Sequence, residues 1–134
     1  MSADAADEII KGVRTVLMGD ATVAGYVGTR VYSDWSSVET FPLIRISITT
    51  IKDWEDDCGQ GAEVDLRVHI YTRGGGIERH RIASAVRDAL RDAELQLDTA
   101  VLRSIRWVQT VAPVDPDPTI SSAVVRFEII TATA

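Results

Sequence analysis

The chain has 134 residues, is 46% hydrophobic, and carries a formal net charge of −6 with a pI of about 4.8. That apolar content excludes disorder, and the length suits one compact domain spanning residues 1–134. The acidic balance argues against a naked phosphate backbone as partner, since the arginines are spread over several elements instead of forming one basic run.

The first predicted element is a helix over Asp4–Met18. Ala6, Ile9, Ile10, Val13, Val16 and Leu17 recur at three- and four-residue spacing and form one stripe. Ser2 or Asp4 can cap its start, where acidic residues suit the helix dipole. Gly19–Asp20 breaks it, and Ala21–Val27 has room for one or two further turns closed by Gly28. Arg30–Tyr32 reads as a short extended segment. Ser33–Thr40 is a polar connection containing Trp35.

Pro42 then opens a strand, a position where proline is tolerated. In Leu43–Ile51, Ile44, Ile46 and Ile48 face one way while Arg45, Ser47 and Thr49 face the other. Lys52–Gly61 reads as a polar, acidic loop. A second strand follows to Thr72, with Val64, Leu66, Val68 and Ile70 on one side and Glu63, Asp65, Arg67, His69 and Tyr71 on the other. The two strands are expected to pair as a hairpin with a long tip.

Gly74–Gly76 turns the chain into a second helix, Ile77–Ala93, with Ile82, Ala83, Val86, Ala89, Leu90 and Ala93 as its apolar stripe. Val101–Val111 is a strand with Ile105 and Trp107 on its more apolar face. Ala112–Pro118 (APVDPDP) is a turn. Thr119–Thr131 is the last strand, with Ala123, Val125, Phe127 and Ile129 inward and Arg126 and Glu128 outward. The order implies an α+β fold: a mainly antiparallel sheet with two helices packed on one face.

Cys58 is the single cysteine, so no intrachain disulfide forms and folding needs no oxidising compartment. The acidic start, MSADAADEII, lacks the basic region of a signal peptide. No apolar run approaches the roughly 20 residues of a membrane-spanning helix. A soluble protein folding in the cytoplasm, without a membrane partner, is expected.

Little in the chain suggests a reaction centre. The residues after Gly74–Gly76 are Ile77, Glu78 and Arg79, not the Lys-Ser/Thr pair of a phosphate loop, and Glu78 puts negative charge where phosphate would sit. His69 and His80 have no neighbour at metal-ligand spacing and read as surface or interface residues. The acids at Asp53, Glu55, Asp56 and Asp57, and at Asp115 and Asp117, do not follow the calcium-loop pattern and read as solvated. Cys58 has no catalytic partner. No catalytic, metal or cofactor-binding residue is assigned, and no cofactor is expected.

Interface candidates are more numerous. Trp54 stands among polar neighbours and is either an anchor for a partner or a cover for its own sheet edge; Trp35 carries the same ambiguity. Asp56 and Asp57 are candidates to meet basic residues of a partner. Arg45, Arg67 and Arg126, with Asp65 and Glu128, alternate on the side of the sheet away from the helices. They form cross-strand ion pairs facing water, or they line an interface or channel. Exposed strand edges suit a ring in which neighbours cover them.

Taken in order, several segments resemble the tail terminator, or tail completion, proteins of long-tailed phages and their relatives in gene transfer agents. They are ATVAGYVGTRVY (Ala21–Tyr32) after the leading helix, FPLIRIS (Phe41–Ser47), EVDLRVHIYT (Glu63–Thr72), IASAVRDAL (Ile82–Leu90) and VVRFEII (Val124–Ile130). Gly28–Tyr32 (GTRVY) is the most distinctive, and the likeness covers nearly the whole chain. The resemblance implies a structural subunit of a homo-oligomeric ring, hexameric, at the head-proximal end of the tail tube. Such a ring ends tube growth and touches the tail tube protein and the head–tail connector or stopper. DNA passes through without sequence-specific binding. The chain departs from that pattern in the acidic segment Asp53–Gly61. Other readings are a different head–tail connector or adaptor ring, a monomeric ligand-binding α+β domain, or an enzyme using the acidic loops.

Overall fold

The computed structural model describes residues 6–33, 40–56, 59–74, 76–91 and 93–133. Among them the chain forms three helices and five strands: α1 (Ala6–Gly19), α2 (Ala21–Val27), β1 (Val31–Tyr32), β2 (Leu43–Asp56), β3 (Gly59–Arg73), α3 (Ile77–Leu90), β4 (Ala100–Val111) and β5 (Ile120–Thr133). The α+β architecture matches the sequence reading, but a third helix covers the sheet. The expected extra turns at Ala21–Val27 are a helix in their own right.

α1 buries Ile9, Val13 and Leu17, one residue per turn along a single stripe. The caps expected at Ser2 or Asp4 lie outside the described residues. Asp20 is more than a break. Its carboxylate accepts the backbone N–H groups of Thr22 and Val23, both at 3.0 Å, and so starts α2. Gly28 ends α2 at φ 59, where a side chain would be strained. Arg30 then splices helix to sheet. Its Nε donates to the Pro42 carbonyl at 2.8 Å, its Nη2 donates to the Tyr26 carbonyl at 3.4 Å, and its backbone carbonyl accepts from Ile44 N. Arg14 of α1 donates to the Val31 carbonyl at 2.9 Å. The GTRVY segment is therefore a structural joint.

The sheet has the order β1-β2-β3-β5-β4. β1 runs parallel to β2 and every other pair is antiparallel. α3 carries the chain from β3 past one position to the edge strand β4, and β5 returns into the gap between them. α3 stops at Leu90, short of the expected Ala93, because Arg91 takes an extended conformation.

One correction bears directly on function. Lys52–Asp56 and Gly59–Gly61, expected within a loop, are strand. The β2–β3 ladder continues through Lys52↔Glu63, Asp53↔Ala62, Trp54↔Gly61 and Glu55↔Gln60 to Asp56↔Gly59. A β-bulge between Ile48 and Thr50 makes this possible by shifting the alternation by one residue. Ile51, not Thr50, then faces inward opposite Val64. Asp57 and Cys58 lie outside the described residues.

The core sits between the helices and the inner sheet face. It joins Ile9, Val13 and Leu17, Val23 and Val27, Ile82, Val86 and Leu90 with Ile44, Ile46, Leu66, Val68, Ile70, Val125, Phe127 and Ile129. Phe127, fully buried at its centre, is the largest of these side chains. Each such side chain contributes about 1.5–3 kcal/mol on burial. Among the described residues no helix is long and apolar enough to cross a membrane.

Candidate functional site

All three helices lie on one side of the sheet, so among the described residues its other face carries no helix or strand. Register places side chains on that outer face in rows. Arg45, His69, Val124 and Val111 form one; Ser47, Arg67, Arg126 and Gln109 the next; then Thr50, Asp65, Glu128 and Arg106; then Lys52, Glu63, Ile130 and Ser104; then Trp54, Gly61, Ala132 and Val101. Basic residues outnumber acidic ones here, although the whole chain carries −6.

Arg67 and Arg126 stand directly opposite each other, an arrangement that like charges disfavour. Asp65 relieves it. Its Oδ1 accepts from Arg126 Nε at 3.1 Å and its Oδ2 from Arg67 Nη2 at 3.4 Å. Asp65 is 12% exposed and each arginine 38%. One carboxylate thus serves two guanidiniums, and Arg67 Nε is buried without a hydrogen-bond partner among the described residues. Arg106 pairs with Glu128 at 3.2 Å at the edge of the same face.

Ser47 Oγ and His69 Nε2 are 3.0 Å apart, a pair the sequence reading did not find. It was legible in principle, because both residues lie on the polar side of paired strands. The arrangement is not that of a nucleophile and its base. Partial burial, then the charges of Arg45 and Arg67, push His69 down to about 4, far below what a general base at neutral pH requires. Its charged neighbours are arginines, where a catalytic histidine would be oriented by a carboxylate. The Tyr71 ring is stacked beside it at 6.3 Å.

Trp54 is half-buried, and the Arg103 guanidinium lies 5.2 Å from its ring centre. Asp53 and Glu55 project from the inner side of the same ribbon and are exposed, as is Ile51 at 40%. Asp56 closes the ladder against Gly59; Asp57, Cys58 and Trp35 fall outside the described residues. Lys52 and Arg106 belong to the outer face and were missed as site residues, Lys52 because its strand had been read as loop.

Asp115 and Asp117 shape their turn: Asp117 accepts the Thr119 N–H at 2.9 Å and the Thr119 hydroxyl at 2.8 Å. Those bonds hold its carboxyl below the usual range. His80 is exposed on α3 at the rim of an open groove shared with Tyr26 and Ile77. On the outer face, Lys52, Glu63, Asp65, Arg126 and Glu128 surround a cavity of about 40 Å³, room for little beyond water. Among the described residues, no three His, Cys, Asp or Glu side chains gather as a metal site would require. The arrangement offers a charged surface suited to contact with a macromolecule.

Residues 11–132 match the model of a family described as tail completion protein gp17. The fold is similar to that of a chain in the virion of a native gene transfer agent particle. The TM-score is 0.84 at 25% identity, covering 98% of this chain and 99% of that one. It is also similar in fold to the gp17 protein of bacteriophage SPP1, with a TM-score of 0.62 at 17% identity over 92% of this chain and 88% of that one. No curated protein matches the sequence.

Proposed function

The chain belongs to the tail completion protein gp17 family, and from that premise we propose that it forms a ring at the head-proximal end of a phage-like tail. It is a structural component of a virion or gene-transfer-agent particle. The ring, hexameric as the sequence resemblance implies, ends polymerisation of the tail tube and presents a surface to the head connector. DNA passes through it without sequence-specific contacts. The chain acts as a scaffold and performs no chemical step. The observation that carries this reading is the family match over residues 11–132, joined to the likeness of nearly the entire chain to one from an assembled gene transfer agent virion.

The geometry supports the same reading. The outer sheet face is broad, charged and half-exposed. Among the described residues β1 covers the β2 edge only at Ile44 and Arg45. Particles assembled without the chain should carry tubes of irregular length and fail to join heads. Electron cryomicroscopy of complete particles should show it as a ring between tube and connector. Finding it as isolated monomers, or away from the head–tail junction, would sink the proposal.

A further inference from the structure

The outer sheet face and the inner side of the β2–β3 ribbon end carry opposite charge. On the face, Arg67 and Arg126 share Asp65, and Arg67 Nε is buried without a hydrogen-bond partner among the described residues. On the ribbon, the inner side beyond the helices presents Ile51, 40% exposed, beside exposed Asp53 and Glu55. Ile51 and Asp53 lie where the sheet is still four strands wide and Glu55 where β2 and β3 run on alone; an exposed isoleucine flanked by acids there suits a contact.

The alternative route to assembly, strand addition along the edges, is blunted. β2 is bulged between Ile48 and Thr50, and β4 between Leu102 and Ser104 and again between Trp107 and Gln109. Bulges interrupt the regular edge that a new strand would need. Contact between faces is then the more favourable geometry.

We propose that the acidic inner side of the ribbon end of one copy docks on the basic outer sheet face of the next copy. This rests on the ring reading and gives its contact. Asp53 and Glu55 meet Arg67 and Arg126, and Ile51 meets Val111, which is 44% exposed on the same outer face. A contact between two different patches of identical chains is heterologous, the kind that closes into a ring when its rotation permits. Complementary charge sets its register. A nucleic acid is the weaker occupant. Asp65, Glu63 and Glu128 interrupt the basic rows, and a phosphate backbone would meet them at close range, in a chain whose net charge already repels it.

The test traps the contact. A chain carrying Cys58→Ser, Glu55→Cys and Arg126→Cys is oxidised, both purified and in assembled particles. The expected result is a reducible ladder of oligomers on a denaturing gel. Each single-cysteine variant should run as monomer, since the contact sets residue 55 against residue 126 of the next copy and not against itself. Charge reversal is the second arm: Arg126→Glu should reduce oligomer by roughly tenfold, and Glu55→Arg in the same chain should recover most of it. Thermal melts identify any variant that simply fails to fold, and Arg126→Gln is then used in its place. Oligomers that form normally without a ladder and without response to reversal would overturn the docking while leaving the ring intact. Absence of oligomers in solution together with absence of a ring in particles would remove both readings. Loss of binding to a short DNA duplex on Arg126→Glu, with oligomers unchanged, would assign the face to phosphate and overturn the proposal.

Discussion

Arg103 holds its guanidinium 5.2 Å from the centre of the Trp54 ring, although β3 and β5 lie between their strands. Two features make the reach possible. The row between them is Gly61 and Ala132, which leave the outer surface nearly bare. Arg103 also falls within the bulge between Leu102 and Ser104, outside the regular pairing of β4. Trp54 therefore covers part of its own sheet while the smaller part of its surface stays available to a partner.

Trp54→Ala is expected to lower stability by about 1–3 kcal/mol, the lost burial of a partly buried indole adding to a weak cation–π contact. It should weaken assembly more than folding. Chemical denaturation and a sedimentation assay separate the two effects. A strongly destabilised monomer that assembles normally would show that the ring serves only its own sheet.

Gly61 tolerates no side chain. A Cβ there would lie 1.8 Å from the Thr131 carbonyl oxygen. Since the obstacle is backbone, Gly61→Ala must push β3 and β5 apart, at a cost of about 1–3 kcal/mol or more. A urea midpoint equal to that of the wild type would refute this.

Phe127 is fully buried at the centre of the sheet. Phe127→Ala should cost about 3–5 kcal/mol through lost burial and the cavity left behind. Phe127→Leu should cost distinctly less. Equal losses would mean that the site collapses around either residue.

His69 makes stability depend on pH. Burial, with Arg45 and Arg67, holds it at about 4 in the folded chain, against about 6.5 when unfolded. Between those values the unfolded chain binds more protons. The contribution is therefore complete above pH ~6.5 and is lost as pH falls toward ~4. The loss is about 1–2 kcal/mol, less than the full shift would give, because the ring is partly exposed and solvent screens it. The difference in unfolding free energy between wild type and His69→Gln, measured across this window, isolates the effect. A difference that does not change with pH would contradict it.

The β2–β3 hairpin shows why part of the site was illegible. The apolar residues Ile44, Ile46 and Ile48 keep a period of two, but the next is Ile51, three positions on. That irregular step is the bulge. Read as the end of a strand, it turned Lys52–Gly61 into a loop and hid Lys52 and Trp54 from the outer face. Acidic and glycine-rich composition reinforced the error, since both disfavour strands in isolation. Pairing with β5 on the far side of β3 overrides that preference.

Local pattern determined the element types outside Lys52–Gly61, the inward-facing residues of β3 and β5, the outward placement of Arg45, Arg67 and Arg126, and the family resemblance. Those features depend on neighbours along the chain, through strand and helix periodicity. The tertiary structure decided what depends on neighbours across it. It inserted β5 between β3 and β4, which set Arg126 opposite Arg67 with Asp65 between them. It placed Ser47 against His69 and brought Arg103 over Trp54. Strand order and register are set by the summed burial of both sheet faces and by loop closure, and no window of adjacent residues contains that sum.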